Sequence, residues 1–282
     1  MFTLHNGDCL QVLPSIPSGS IDAIITDLPY GTTACKWDTI IPFAPMWKEV
    51  KRVLKPNGAF ITTASQPFTS ALIMSNIKQF RHEWIWEKDK GANFLQSNFQ
   101  PLKTHENILV FSIGKTTYNP QKTVNPKKQQ RTDRPQLSEK RKEAGLSVSR
   151  FVSSEKYEND KLMPRSIQYF TRNVPKGGTL HPTQKPVALY EYLIKTYTNE
   201  GETVLDIAMG SGTTIEAAER TGRNSIGIEK DEGIFQSAVL RLKPFTPSNT
   251  ACTGRLDSSA TQSSFTAEVI APAKARGAKR RQ

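Results

Sequence analysis

An apolar strand that runs without polar alternation into an acid and a proline turn is the feature that most constrains this chain. Ile21-Asp22-Ala23-Ile24-Ile25 leads directly into Thr26-Asp27-Leu28-Pro29-Tyr30-Gly31. Such a run suits a strand covered on both faces. It sets a carboxylate, a fixed turn and an aromatic ring at the strand's carboxyl end, the edge at which open α/β sheets bind ligands. Asp27 can accept a hydrogen bond from an amino group, the carbonyls of Leu28 and Pro29 can accept another, and Tyr30 offers a flat face for stacking. Alone, the hexapeptide is equally a strand ending in an ordinary turn, so the rest of the chain must decide.

The rest alternates. Phe2 to Asn6 reads as a short strand, and Leu10 to Leu13 continues into a turn with Pro14 and Pro17. Met46, Trp47, Val50, Val53 and Leu54 have helical spacing, stopped by Pro56-Asn57-Gly58. Ala59 to Ala64 is a buried strand, Pro67 to Ile77 a helix, and His82 to Trp86 and Asn107 to Ser112 two further strands, with Trp84 and Trp86 on one face in the core. After a long polar interruption, a helix from Pro186 to Ile194, a strand 203–207, a helix 213–221, a strand 224–229 and a helix 231–242 follow. Strands alternating with helices predict an α/β fold with a mostly parallel sheet.

The interruption carries the charge. Residues 115–180 hold 15 Lys/Arg against 6 Asp/Glu, and 244–282 hold 6 against 2. These segments account for +9 and +4 of a net charge of +12, so the remainder sums to −1. A near-neutral α/β domain therefore carries two basic attachments, which favours a polyanionic partner. In 115–180 the charges are interleaved with Tyr118, Phe151, Tyr157, Tyr169 and Phe170. Lys127, Lys128, Arg131 and Arg134 are its candidate phosphate or base contacts. The organisation expected is a first half of the core domain at 1–114, a basic insert at 115–180, the second half at 181–243 and a basic, disordered tail at 244–282.

Cys9, Cys35 and Cys252 have no paired spacing, which disfavours a zinc site or a disulfide framework and fits a reducing cytoplasm. No stretch approaches the roughly 18 apolar residues of a membrane span. The first residues lack the pattern of a signal peptide.

A second chemical site lies past the insert. Strand 203–207 carries Asp206, followed by Ile207-Ala208-Met209-Gly210-Ser211-Gly212, a helix from Thr213, and a strand ending at Glu229. Glycines there let the backbone approach a ligand and present amides at a helix N-terminus. An acid at the end of the next strand can accept from ribose hydroxyls. No Gly-Lys-Ser/Thr follows, so this is not a phosphate loop, and the third glycine of a dinucleotide fingerprint is missing.

At this point the chain resembles the DNA amino-methyltransferases, which use S-adenosylmethionine to modify exocyclic amino groups of bases. Asp27-Leu28-Pro29-Tyr30 looks like their Asp-Pro-Pro-Tyr motif. Asp206 to Thr214 looks like their cofactor loop, and His181-Pro182-Thr183-Gln184-Lys185-Pro186 matches a family hexapeptide letter for letter. Asn6-Gly7-Asp8-Cys9-Leu10 and His105-Glu106-Asn107-Ile108-Leu109 also have counterparts. The order is catalytic motif, recognition insert, cofactor loop, the family's β class, and the resemblance covers residues 1–243.

The resemblance implies a Rossmann-like methyltransferase fold, a mostly parallel twisted sheet with helices on both faces. It assigns catalysis to Asp27, Leu28, Pro29 and Tyr30, with base flipping, and cofactor binding to Asp8, Lys185, Asp206, Ala208, Gly210, Gly212, Thr213 and Glu229. His181, Thr183 and Lys185 would shape the methionine end. Trp37 and Asp38 are similar to a Trp-Asp pair often found after the catalytic motif and would contact the substrate. S-adenosylmethionine is the cofactor implied, with no metal, and DNA the partner. The implied setting is a bacterial or phage-encoded cytoplasmic enzyme of restriction-modification or phage type. The family often pairs, so a homodimer is one implied state. An initial Asp favours N6 of adenine over N4 of cytosine, where Ser is commoner. The rivals are an N4-cytosine, RNA or protein amino-methyltransferase and an inactive DNA-binding protein. Two positions depart from the family: Leu28 replaces a proline, and Ala208 replaces an apolar Phe wall.

Overall fold

The computed structural model describes residues 1–33, 38–124, 161–172 and 184–245, and the backbone of 269–270. Its strands are β1 (Phe2–Asn6), β2 (Ile21–Thr26), β3 (Leu54–Ala64), β4 (Phe80–Ala92), β5 (Lys103–Phe111), β6 (Thr123–Val124), β7 (Lys161–Leu162), β8 (Ile167–Tyr169), β9 (Thr203–Asp206), β10 (Asn224–Glu229) and β11 (Val269–Ile270). The helices are α1 (Cys9–Val12), α2 (Phe43–Val53), α3 (Phe68–Ser75), α4 (Val187–Tyr197), α5 (Thr213–Arg220) and α6 (Glu232–Leu242).

Among the described residues, nine strands form one sheet in the order β11-β1-β10-β9-β2-β3-β5-β4-β8. Neighbours are parallel except where β5 runs against both β3 and β4. β2 lies at the centre, with Ala23 opposite both Ala59 and Val204. All six of its residues are buried, which is why it reads as one apolar run. The alternation of strand side chains divides the core. Ile24, Phe60, Leu109 and Leu205 pack beneath α1, α2 and α3. Ala23, Ile61, Val110 and Val204 pack against α4 and α5. A third cluster joins Phe2 and Leu4 of β1 to Phe235, Ala238 and Leu242 of α6. The fold is the helix-covered, mostly parallel α/β sheet expected, and Trp84 and Trp86 are buried in it.

Several boundaries differ from the sequence reading. Pro56-Asn57-Gly58 lies inside β3, beside an irregularity in its pairing with β2. β4 and β5 are longer than their apolar cores, because antiparallel pairing continues beyond the buried section. The chain divides into two compact units, Met1–Asn119 with Ser166–Gln282, and Pro120–Arg165. The separate unit is thus narrower than the 115–180 expected, since Ile167–Tyr169 pairs with β4 in the main sheet. In the smaller unit, β6 and β7 pair antiparallel. Two tail residues, Val269 and Ile270, pair with β1, where the sequence suggested disorder. The remaining tail lies outside the described residues. No described helix is long and apolar enough to cross a membrane, and no described cluster of side chains would hold a metal ion.

Candidate active site

The carboxyl ends of β1, β10, β9 and β2 meet at a cleft of about 610 Å³. From β2 the chain passes through α2 to β3 on one side. From β9 it passes through α5 to β10 on the other. The crevice between β9 and β2 is therefore the topological switch point of the sheet, where strand ends diverge and leave room for a ligand.

One half of the cleft is built on Asp27. Lys185 Nζ lies 2.6 Å from Asp27 Oδ2, and Tyr30 Oη donates to Oδ1 at 3.0 Å. Thr63, from the neighbouring β3, also donates to Oδ1. A carboxylate offers about four acceptor positions. Three protein donors leave about one open to a further donor. Lys185 also faces Glu106 at 3.6 Å, and Glu106 pairs with Lys88. Burial alone would push the Lys185 ammonium down, but Asp27 and Glu106 outweigh it and hold its pKa above the ordinary value. Burial would raise Glu106, yet Lys185 and Lys88 hold it below the usual carboxylate range. Burial, then Asp27 and Glu106, push the Tyr30 phenol far up, so it stays a neutral donor. The Tyr30 ring stacks on Phe68 at 5.3 Å between centroids. Leu28 is buried in the core as a side chain while the residue still lines the cleft.

The other half is built on β9 and β10. Asp206 is buried and accepts from Thr26 Oγ1 at 2.6 Å, from the Ala208 amide at 3.1 Å and from Thr214. Burial lifts its pKa to about 6 against the pull of those donors. Its acceptor positions are thus engaged in shaping the loop. Gly210 and Gly212 have φ of +53° and +81°, a region side-chain-bearing residues rarely adopt, and Gly212 caps α5. Glu229 accepts the amides of Gly210 at 3.0 Å and Asp231 at 2.8 Å. Burial raises its carboxyl above the ordinary value. Arg241 of α6 braces the loop from behind, with Nη1 at 3.0 Å from Ser211 Oγ and 3.1 Å from Thr213 Oγ1. Asp8 caps α1 through the Leu10 amide and faces Lys230 at 3.0 Å, at the rim of the cleft.

Of the residues singled out in the sequence, Asp8, Asp27, Leu28, Pro29, Tyr30, Asp38, Lys185, Asp206, Ala208, Gly210, Thr213 and Glu229 all line this cleft. Asp38 braces a loop, its carboxylate accepting the amides of Gly31, Thr32 and Thr33 at 2.7–2.9 Å. Lys185, which the resemblance puts toward the cofactor, has its ammonium on Asp27. Trp37, Lys127, Lys128, Arg131, Arg134, His181 and Thr183 lie outside the described residues. The sequence reading missed the roles of Thr63, Lys88 and Arg241. It quoted Glu106 within a motif and gave it no task. Only that motif hinted at Glu106, and nothing local marks the other three.

Residues 21–240 match the N6_N4_Mtase family, described as DNA methylase. The chain is 27% identical over 277 residues to the type II methyltransferase M.HinfI of Haemophilus influenzae, covering 87% of this chain and 69% of that one. M.HpaI of Haemophilus parainfluenzae, also a type II methyltransferase, is 29% identical over 250 residues, covering 83% and 72%. Among solved structures, the fold is similar to the M1.HpyAVI–SAM complex, with TM-score 0.56, 23% identity and coverage of 86% and 99%.

Proposed function

The chain belongs to the DNA methylase family, and from that premise we propose that it transfers a methyl group from S-adenosylmethionine to N6 of adenine in DNA. The observation that carries this reading is Asp27, an acceptor at the mouth of the cleft with about one position open beside three protein donors. The cofactor half fits S-adenosylmethionine. A side chain built at Gly210 would meet open space, the Gly210–Gly212 turn brings the N-terminus of α5 to the cleft, and Glu229 retains lone pairs for ribose hydroxyls. No pyrophosphate-binding feature is needed. Glu229, Gly210, Gly212, Thr213 and Asp8 would hold the cofactor, which supplies an already activated methyl group.

The residues of this chain then position the amine. The target base cannot be reached inside a duplex, so it is extruded into the cleft beside Tyr30. Stacking on an aromatic face returns about 1–3 kcal/mol per base, against a few kcal/mol of unstacking. Asp27 accepts from one amino N–H and the Leu28 carbonyl accepts from the other. Together they turn the nitrogen lone pair out of conjugation and along the transfer direction, a task of proximity and orientation. The proton that the methylated nitrogen sheds departs along the N–H bond that Asp27 accepts. An acid at the first position of the turn supports adenine, since the resembling cytosine enzymes more often carry serine there. The basic insert supports DNA as substrate, through salt-sensitive phosphate contacts. The bacterial relatives support a bacterial or phage-encoded enzyme acting in the cytoplasm.

The test is methylation of random-sequence DNA by the full-length protein, followed by nucleoside mass spectrometry and base-resolved mapping. N6-methyladenine is the expected product. N4-methylcytosine without N6-methyladenine would overturn the adenine assignment, and label in RNA or protein alone would overturn DNA.

A further inference from the structure

The hairpin that joins β4 to β5 has an apolar tip. Phe94, Leu95 and Phe99 are 72%, 81% and 89% exposed, and Leu102 is 46% exposed. Single exposed apolar residues are ordinary, but several in one short loop mark a contact surface. The loop is no random excursion: Asn93 takes a left-handed turn and a short 3-10 helix, Phe94–Gln96, follows. From Lys90 to His105 there is no acidic residue, and Asn93, Gln96, Asn98 and Gln100 are interleaved with the apolar ones. The hairpin is thus apolar at its tip, amide-rich along its length and flanked by Lys90 and Lys103.

Its place in the sheet says what it faces. β4 runs parallel to β3, the two being antiparallel to β5 between them. The tip therefore leaves the same edge as Asp27. Glu106 of β5, 3.6 Å from Lys185 and 3.5 Å from Tyr30 Oη, ties the hairpin to the catalytic carboxylate. Lys103 lies three residues before Glu106, about 10 Å along a strand, and the tip lies beyond it. That distance is on the order of a DNA groove width.

We propose that Phe94, Leu95 and Phe99 form a wedge that bears on the duplex at the target step and fills the space left by the extruded base. Apolar side chains pressed between base steps unstack them and hold a duplex open. The flanking lysines suit the phosphates on either side, and the tip's amides suit base edges. The inference rests on the DNA methyltransferase reading and adds a second, remote element to it.

The experiment uses the full-length Phe94→Ala/Leu95→Ala/Phe99→Ala variant, whose changes are all at the surface. Two duplexes carry a sequence that the wild-type enzyme methylates. They differ only in whether the target adenine is paired or opposite a mismatched base. The wedge predicts a loss in kcat/KM of about tenfold or more on the paired duplex and little loss on the mismatched one, where opening is already easy. S-adenosylmethionine affinity should be unchanged. Variant rates equal to wild type on both duplexes would overturn the wedge, as would an equal loss on both. A wild-type dimer that the variant turns to monomer, with rates unaltered, would assign the patch to a second copy of the chain instead. If the wild-type protein methylates no DNA, the activity itself fails, a result distinct from failure of the wedge.

Discussion

Asp27 is held by Thr63, Tyr30 and Lys185, so in its proposed role its orientation would cost little at the moment of reaction. Asp27→Ala is expected to lower kcat by about a hundredfold or more while leaving cofactor affinity nearly unaltered, checked by single-turnover kinetics and calorimetry. Unchanged methyl transfer would refute the assignment. Lys185→Met would leave Asp27 and Glu106 in one site without their shared cation. Like charges in one site favour protonation, so the acidic limb of kcat/KM against pH should move to higher pH. Asp206 makes a separate prediction. Its folded pKa of about 6 stands above the ordinary 3.8, so the folded state holds its proton more tightly than the unfolded one. Stability from this group is greatest below the ordinary value, falls as pH rises through that window and is level above it. Urea midpoints across this range should carry that slope in the wild type and lose it in Asp206→Asn.

At the scale of elements, the loop proposed to hold the cofactor depends on the glycine that starts α5. A side chain at Gly212 would adopt φ +81° and sit 3.1 Å from Leu242 of α6. Gly212→Ala should destabilise the fold by about 1–2 kcal/mol from the left-handed backbone alone, seen as a fall in Tm of a few degrees. It should also weaken cofactor binding, because Gly210, Ser211 and Thr213, which line the cleft, would shift with the turn. Arg241 acts on the same turn from α6, so Arg241→Met should loosen cofactor binding without touching the cleft. The β4–β5 hairpin couples two tasks: its buried part adds Trp84 and Trp86 to the core, and its outer part carries Glu106 and the exposed tip.

For the whole molecule, charge is segregated from chemistry. The positive excess lies in 115–180 and the tail, while the remaining residues are near neutral. DNA affinity should therefore fall steeply with salt. Replacing Lys127, Lys128, Arg131 and Arg134 by Gln should flatten the slope of log K against log salt by about 0.9 for each phosphate that is no longer neutralised. Filter binding from low to physiological salt measures this, with cofactor affinity as the control. An unaltered slope would place the phosphate-binding cations elsewhere.

Local signals in the sequence were enough for the doubly covered strand β2, the helix α2 with Met46, Trp47, Val50 and Val53 buried on one side, and the Gly210–Gly212 turn. Each depends on neighbours a few residues apart, through side-chain periodicity or backbone freedom. The hairpin lengths were not legible, because antiparallel ladders extend past the buried residues that betray a strand; nor was the parallel pairing of Ile167–Tyr169 with β4, a three-residue strand whose residues are mostly exposed and carry no apolar run. Nor were the partners of the site. Asp27 and Lys185 are 158 positions apart, Thr26 and Asp206 180, and a lysine's charge says nothing of which carboxylate it meets. The sequence by itself determined which residue types stand at the strand ends. Only the tertiary structure decided that Thr63 and Lys185 meet Asp27 and that Glu106 faces the same lysine, because the order of strands sets which distant ends share an edge.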